Sequence, residues 1–201
     1  MNYKKILSVI IYFLSVISFL SCNENSLTQP ENTNSFFPLR VGNKWYYNSF
    51  NSFQQYDSTN ANFTTEVIGT KQVLGKAYFS VKSSYLDENG IIIYSDTSQY
   101  FYSNDTLYSC MNDVDNSNYY EAIYANFTLG KGDKYNTYMY STEYVITVIE
   151  KDKDLVTLFY DAPQYKDEEQ EITFKRGVGV YKYYTFNSGS EIRLIRAELK
   201  I

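Results

Sequence analysis

The chain contains no histidine, and this absence narrows the chemistry that is open to it. Histidine is the commonest general base and the commonest metal ligand in proteins. A Ser-His-Asp or Cys-His mechanism is therefore excluded, as is zinc held by histidine. The sequence also lacks a phosphate-binding loop, a nucleophile elbow and a dinucleotide fingerprint. We expect no catalytic residues, no metal and no cofactor, and hence a protein that is not an enzyme.

Two oxygen-rich stretches resemble functional sites but lack essential parts. Residues 112–118 place Asp and Asn at alternate positions, as a calcium loop does, yet the required glycine and glutamate are missing. Residues 167–171 are acidic, but no second acid is paired with them across a cleft, as a glycosidase requires. We interpret both stretches as solvated turns.

Cysteine and proline are also scarce, with two and three residues among 201, whereas aromatic residues are abundant. There are 23 Tyr and 13 Phe, and together with Thr, Val and Ile they favour β-strands over helices. So aromatic a chain is not disordered, and its length suits one domain with a sizeable core. Its net charge of −5 disfavours nucleic acid as a partner.

The first 21 residues have the pattern of a secretory signal peptide. Lys4 and Lys5 precede an apolar run that ends at Leu20 and is shorter than the roughly 20 residues of a membrane span. The following Ser21-Cys22 resembles the lipobox of bacterial lipoproteins. That resemblance implies cleavage before Cys22 and a lipid on its sulfur, which anchors the protein to a membrane. An uncleaved anchor and a plain signal peptide with a chance cysteine are the alternatives.

Three expectations follow from the lipobox. By resemblance to the sorting rule of Gram-negative lipoproteins, Asn23 favours the outer membrane over the inner, while the side that the protein faces stays open. Residues 22–35, with almost no apolar content, form the lipidated cysteine and a flexible tether, and residues 36–201 form the folded domain. Cys110 is left without a disulfide partner, and we interpret it as a small buried hydrophobe rather than a reactive thiol.

The folded part alternates short aromatic and β-branched segments with Asn, Asp, Gly and Ser clusters, and it shows no helical period. The connections are short, so we predict an all-β fold: a single antiparallel meander-type domain forming a curved sheet, a half-barrel or a sandwich. The predicted strands cover roughly 44–51, 62–70, 76–86, 91–95, 98–103, 106–111, 119–126, 134–140, 143–151, 154–161, 169–175, 178–187 and 190–200.

The last predicted strand contains a break in its alternation of charged and apolar residues. Charged residues occupy odd positions before Leu194 and even positions after Ile195. Because side chains alternate strictly along a strand, the pattern predicts a β-bulge between these two residues.

One motif occurs twice, at residues 37–47 and 127–135, in the frame Phe-x-Leu-x-x-Gly-(Asn/Asp)-Lys-(Trp/Tyr). Residues 65–68 are similarly repeated at 146–149. We predict two related halves, each opening with a glycine turn and an aromatic strand; chance similarity in a tyrosine-rich chain is the alternative. Trp45 is then a core residue rather than a stacking platform for a sugar. The structural residues of the motif are Gly42, Trp45, Gly132 and Tyr135.

The first copy of this motif, together with Gly177-Val178-Gly179-Val180, resembles a group of bacterial envelope lipoproteins of unknown function. They share an aromatic-Pro-Leu-x-x-Gly-Asn-x-Trp-x-Tyr opening and a closing Gly-Val-Gly strand. The resemblance implies a mostly β, antiparallel architecture and brings no assigned activity.

The surplus of tyrosine is the one feature that indicates a function. Tyrosine has an apolar body and a polar tip and is favoured on binding faces. Our candidate ligand-face residues are Tyr100, Tyr102, Tyr181 and Tyr183; a half-wet sheet face covered by tyrosine is the alternative. We expect a lipid-anchored, non-enzymatic binding or structural module of the cell envelope, with an apolar or glycan ligand. The other hypothesis is an accessory subunit that docks a partner protein in an outer-membrane or surface complex.

Overall fold

The structure is a computed structural model that describes residues 34–51, 53–113, 118–166 and 168–200. The predicted signal peptide, Cys22 and the tether up to residue 33 lie outside the described residues. So do the middle of the calcium-like stretch and Asp167. The chain from Glu31 to Ile201 forms one compact unit.

This unit is built from twelve β-strands, which account for all the regular structure among the described residues. The strands are β1 (Lys44–Phe50), β2 (Phe63–Val73), β3 (Lys76–Leu86), β4 (Ile92–Ser103), β5 (Thr106–Asp113), β6 (Asn118–Asn126), β7 (Lys134–Met139), β8 (Thr142–Lys151), β9 (Leu155–Asp161), β10 (Gln170–Lys175), β11 (Gly179–Thr185) and β12 (Ser190–Glu198).

The strands form one antiparallel sheet in the order β6-β5-β4-β3-β2-β1-β12-β11-β10-β9-β8-β7. Strands that are consecutive in sequence pair with each other, except β6 and β7, which share no ladder. In addition, the first strand, β1, pairs with the last strand, β12. The sheet therefore curls into a nearly closed, barrel-like ring. The predicted all-β antiparallel meander is confirmed, and the sheet is a curved one rather than a sandwich.

One pair of predicted strands, 91–95 and 98–103, is the single strand β4. The polar residues Asp96 and Thr97 suggest a break, but they pair with Ser83 and Lys82 in the ladder to β3. Both side chains are exposed although they point to opposite faces of β4, so polarity here reflects access to solvent near the open end and not a turn.

The ring has two different ends, since consecutive strands run in opposite directions. The β2–β3, β4–β5, β6–β7, β8–β9 and β10–β11 connections lie at one end, together with residues 34–43; we call this the closed end. There the Gly177 amide donates to the Ser35 carbonyl at 2.7 Å, and the fully buried Phe36 stacks on Phe127 with ring centroids 4.8 Å apart. The other connections lie at the opposite end, which we call the open end.

Bulges bend the strands as ring closure requires. In the β1–β12 ladder, Tyr46 pairs with Arg196 and Tyr47 with Leu194, so Ile195 is the extra residue. This confirms the bulge predicted from the change of alternation. Equivalent register shifts leave Ile68 in β2 and Ile149 in β8 as the extra, unpaired residues of two further bulges.

The repeated motif has the same hydrogen bonds in both copies. The Gly42 amide donates to the Val67 carbonyl at 2.7 Å, and the Val67 amide donates to the Asn43 carbonyl at 2.9 Å. In the second copy, Gly132 donates to Val148 at 2.8 Å and Val148 donates to Asp133 at 3.0 Å. Both glycines have φ near +90°, at 88° and 92°. The chain therefore contains two related halves of six strands, β1–β6 and β7–β12.

Trp45 illustrates what the first copy of the motif builds. Its side chain is 1% exposed, stacks on Phe37 and donates a hydrogen bond from Nε1 to the Val178 carbonyl. Gly179 packs directly against the indole, in agreement with a core role for Trp45.

The two halves meet at two junctions that differ. β1 and β12 pair by a full ladder, whereas side chains bridge β6 and β7; we call this second junction the seam. The Tyr135 hydroxyl accepts a hydrogen bond from the Asn126 amide at 3.2 Å and donates to the Tyr124 carbonyl at 3.4 Å. The Tyr160 hydroxyl donates to the same carbonyl at 2.7 Å. These contacts cover a sheet edge that would otherwise expose unpaired backbone groups.

A smaller cluster lies on the outer face of the sheet, where Cys110 is buried against Tyr78 and Val73. The Tyr78 hydroxyl donates to the Glu121 carboxylate, which is 2.9 Å from Lys76 Nζ. Burial, followed by the charge of Glu121, raises the pKa of the Cys110 thiol. Cys110 is thus a buried residue with a free thiol, in the small hydrophobic cluster that its sequence context predicts.

Candidate ligand-binding cavity

A cavity of about 260 Å³ lies inside the ring, and we call it the tyrosine cavity. It begins near the closed end at Phe37 and reaches the open end at Tyr85, whose side chain is 39% exposed. Eight strands and the segment before β1 contribute to its wall. Its described lining consists of Phe37, Tyr47, Phe63, Thr65, Val81, Ser83, Tyr85, Tyr100, Tyr124, Ile172, Val180, Tyr183 and Ile192.

Strand register places these side chains together. Tyr47 pairs with Phe63 across β1–β2, and Phe63 pairs with Tyr85 across β2–β3, so the three rings form one inward row. Their ring centroids are 5.7 Å and 4.7 Å apart. In the adjoining strands β10, β11 and β12, Tyr183 pairs with Ile172 and Ile192, so these three side chains continue the wall beyond β1. The cavity is therefore the space between two parts of one curved sheet.

The lining carries only aromatic, aliphatic and hydroxyl side chains. Among the described lining residues there is no carboxylate, amine, guanidinium, amide or thiol. Two acids lie near the open end. The negative charge of Asp96 contributes to raising the pKa of Tyr100, and that of Glu168 contributes to raising the pKa of Tyr183. The interior of the tyrosine cavity is thus neutral, and its mouth is acidic.

The tyrosine hydroxyls differ in their hydrogen bonding. The Tyr47 hydroxyl donates to the Val180 carbonyl at 3.1 Å. Within the described part of the chain, the Tyr124 and Tyr183 hydroxyls form no hydrogen bond. Burial raises the pKa of Tyr100, Tyr124 and Tyr183, and neighbouring tyrosines add to the effect. These groups therefore stay protonated, and two of them are available as neutral donors.

The four candidate ligand-face tyrosines are divided by the structure. Tyr100 and Tyr183 line the tyrosine cavity. Tyr102 points inward but lies nearer the closed end, where it stacks on Phe127 and its hydroxyl donates to Asp105 at 2.8 Å. Tyr181 is 40% exposed, next to Lys175.

A bulge separates Tyr181 from Tyr183, although two residues apart in a regular strand share a face. Thr173 pairs with Lys182 and Phe174 with Val180, so Tyr181 is the extra residue in β11. The β11 sequence has no clean alternation, and hence nothing in it signals this shift. Sequence analysis also missed Tyr47, Phe63, Tyr85 and Tyr124, whose shared wall depends on pairing between distant strands.

No group of three or more acidic or cysteine residues that could hold a metal ion occurs in the described residues. Among those same residues, no helix is long and apolar enough to cross a membrane. Cys22, the predicted lipidation site, lies outside the described residues.

The fold and the cavity thus define an all-β, single-sheet protein with an aromatic interior pocket. No family model matches the chain, and no curated protein matches it. Its fold is similar to that of two solved structures. One is a candidate lipoprotein from Parabacteroides distasonis, with 12% identity, a TM-score of 0.46, and coverage of 82% of this chain and 99% of the other.

The second structure is a candidate exported protein with a YMCC-like fold from Bacteroides fragilis. It has 13% identity, a TM-score of 0.47, and coverage of 83% of this chain and 100% of the other.

Proposed function

We propose that the protein is a lipid-anchored component of the bacterial cell envelope that binds a small ligand in the tyrosine cavity without transforming it. One observation carries the binding role: aromatic side chains from distant strands converge on an internal space that reaches the surface. Concave, mostly apolar sites with a few polar groups are the usual form of small-ligand sites. The described lining, which has no carboxylate, amine or thiol, supports a binding role.

The anchor rests on the sequence at Cys22. Two or three acyl chains hold a protein firmly at about 0.8 kcal/mol per buried CH₂, whereas one holds it only marginally. A Cys22→Ala variant is expected to leave the membrane fraction and to lose incorporation of labelled palmitate. Recovery of the variant in the outer-membrane fraction, at the level of the unchanged protein, would overturn the anchor. Fractionation of the unchanged protein tests the preference for the outer membrane that Asn23 indicates.

The binding role is tested by what the protein carries from the cell. The protein is purified from the envelope in mild detergent and examined by native mass spectrometry. We expect a small bound mass that a Ser83→Phe variant loses, because Ser83 is half-buried in the cavity wall and a phenyl ring there fills the space. Ser95→Phe, on the exposed face of β4, is the matched control. A bound mass that persists in Ser83→Phe would contradict binding in the cavity.

A second candidate function is supported by exposed apolar side chains at the open end. Ile91, Ile93 and Tyr94, in and beside the β3–β4 connection, are 63%, 69% and 61% exposed. Similar residues at the other connections of this end complete what we call the apolar rim. Contiguous exposed apolar surface marks sites of interaction with other proteins. The rim consists of Phe53, Ile91, Ile92, Ile93, Tyr94, Tyr138, Tyr140, Tyr165 and Phe186.

Docking of a partner protein is tested by photo-crosslinking in intact cells. A crosslinking residue at Ile93 is expected to give a discrete adduct with one partner. Ile68 is the control because it is 48% exposed but lies away from the rim, in β2. Equal labelling from both positions would count against docking through the apolar rim.

A further inference from the structure

The size of the tyrosine cavity limits its occupant. Pockets for drug-sized ligands measure roughly 300–1,000 Å³, and this cavity, at about 260 Å³, lies just below that range. A glycan chain or a whole phospholipid does not fit inside it. The occupant is therefore a small molecule or the end group of a larger one.

The charge of the cavity limits the occupant further. A charged group buried without a partner loses its hydration and gains no compensating interaction. The described lining offers no cation to an anionic ligand, and Asp96 and Glu168 at the mouth repel such a ligand. The described lining also offers no carboxylate to pair with a cationic ligand. An uncharged occupant fits best.

The polar groups inside the cavity indicate what such a molecule carries. The Tyr124 and Tyr183 hydroxyls form no hydrogen bond within the described residues and line the cavity from two different strands. Both residues are half-buried, and neither hydroxyl donates its proton to the described part of the protein, so an acceptor on a ligand in the cavity can receive it. Sugar recognition would instead need amide or carboxylate groups for several adjacent hydroxyls, and the described lining has none.

The rings around the cavity favour a flat occupant. The ring centroids of Phe37 and Tyr100 are 5.7 Å apart. Those of Tyr100 and Tyr124 are 5.5 Å apart, with the rings in an edge-to-face arrangement. Aromatic walls of this kind pack well against another ring system, by offset stacking or edge contact.

We infer that the tyrosine cavity binds a small, uncharged, flat apolar molecule whose hydrogen-bond acceptor, such as a ketone or ester carbonyl, is held by the Tyr124 hydroxyl. This inference rests on the proposed function and names the ligand class of the same site.

The test uses three matched compounds and the non-lipidated chain 23–201, which contains the whole compact unit. Methyl 2-naphthoate is neutral with a carbonyl acceptor, 2-naphthoate has the same ring and a negative charge, and naphthalene has no acceptor. Binding is measured by titration calorimetry, with maltose as the glycan probe. We expect the ester to bind about tenfold or more tightly than either the anion or naphthalene, the ratio that one buried hydrogen bond or charge produces.

Variants assign the binding to the cavity. Tyr124→Phe keeps the ring but removes the hydroxyl. It is expected to lower the affinity for the ester about tenfold and to leave the affinity for naphthalene unchanged. Tyr181→Phe, on the outer face, is expected to have no effect. Ser83→Phe is expected to abolish binding of both neutral compounds, with Ser95→Phe as its control. Circular dichroism and thermal unfolding show whether each variant is folded.

The outcomes distinguish the claim that the cavity binds a ligand from the claim about the chemical class of that ligand. If maltose or the anion binds best and Ser83→Phe abolishes that binding, the ligand class is wrong and the cavity remains a binding site. If the ester binds equally well to Tyr124→Phe, the role of that hydroxyl is wrong. If no compound binds, or Ser83→Phe changes nothing, the ligand class is overturned, and the native mass spectrum decides separately whether the cavity binds anything.

Discussion

At the scale of single residues, the closing Gly-Val-Gly element is explained by Trp45. Gly179 has φ of +108°, and a Cβ added there would lie 3.3 Å from Trp45 Nε1. The Val178 carbonyl accepts the indole hydrogen bond, so it lies beside the ring as well. Gly179 is thus required for two reasons, its backbone conformation and the close approach of the indole.

A Gly179→Ala substitution tests this account. A left-handed conformation costs a non-glycine residue about 1–2 kcal/mol, and the contact with Trp45 adds to that cost. Gly90→Ala is the control because Gly90 has φ of +77° and nothing within 4 Å of an added Cβ. We expect urea unfolding to show a larger loss of stability for Gly179→Ala. Equal losses would mean that the indole contact contributes nothing.

At the scale of elements, the seam shows how a tyrosine side chain connects two strands that share no backbone hydrogen-bond ladder. Tyr135 stands in the second copy of the motif where Trp45 stands in the first. Trp45 reaches the backbone of Val178, whereas Tyr135 reaches that of Asn126 and Tyr124 in β6. The same motif position therefore anchors a different neighbour in each half.

Tyr135→Phe is expected to loosen the seam. The Asn126 amide loses its acceptor, while the Tyr124 carbonyl keeps the hydrogen bond from Tyr160. We expect a loss of about 1 kcal/mol and faster hydrogen exchange at the Asn126 amide. Tyr138→Phe, in the same strand but 54% exposed, should leave that exchange unchanged. Unaltered exchange in Tyr135→Phe would show that the hydroxyl does not hold the seam.

Several elements could be predicted from the sequence because local patterns define them. The change of phase in β12 predicted the bulge at Ile195, and the repeated glycine motif predicted the two halves. The bulge at Tyr181 could not be predicted, since β11 has no alternation to interrupt. The wall of the tyrosine cavity was equally hidden, because Tyr124 and Tyr183 meet only through the closure of the ring.

At the scale of the whole molecule, the buried tyrosines link stability to alkaline pH. Burial raises the pKa of Tyr47, Tyr124 and Tyr160 above the ordinary value of about 10. The folded state therefore holds these protons more tightly than the unfolded state does. The stabilisation is complete below pH about 10 and is lost as pH rises above that value.

Alkaline titration is expected to reveal this linkage. The buried tyrosines should ionise together with unfolding of the protein. Phenolate absorbance and far-ultraviolet circular dichroism, followed in parallel, measure the two events. Gradual ionisation of every tyrosine in a protein that stays folded would contradict the burial of the set.

The seam also determines where the ring tolerates a break in the polypeptide. The Lys200 amide donates to the Asn43 side chain at 2.7 Å, so the end of β12 lies beside the start of β1. The β6–β7 connection, in contrast, joins strands that share no ladder. A circular permutant that starts at Gly130, with Ile201 joined to Glu31 through a flexible glycine-serine linker, interrupts no strand pairing and is expected to fold. A permutant opened at Gly75 splits the β2–β3 hairpin and is expected to be less stable. Circular permutation would thus exchange the order of the two halves along the chain while keeping the ring.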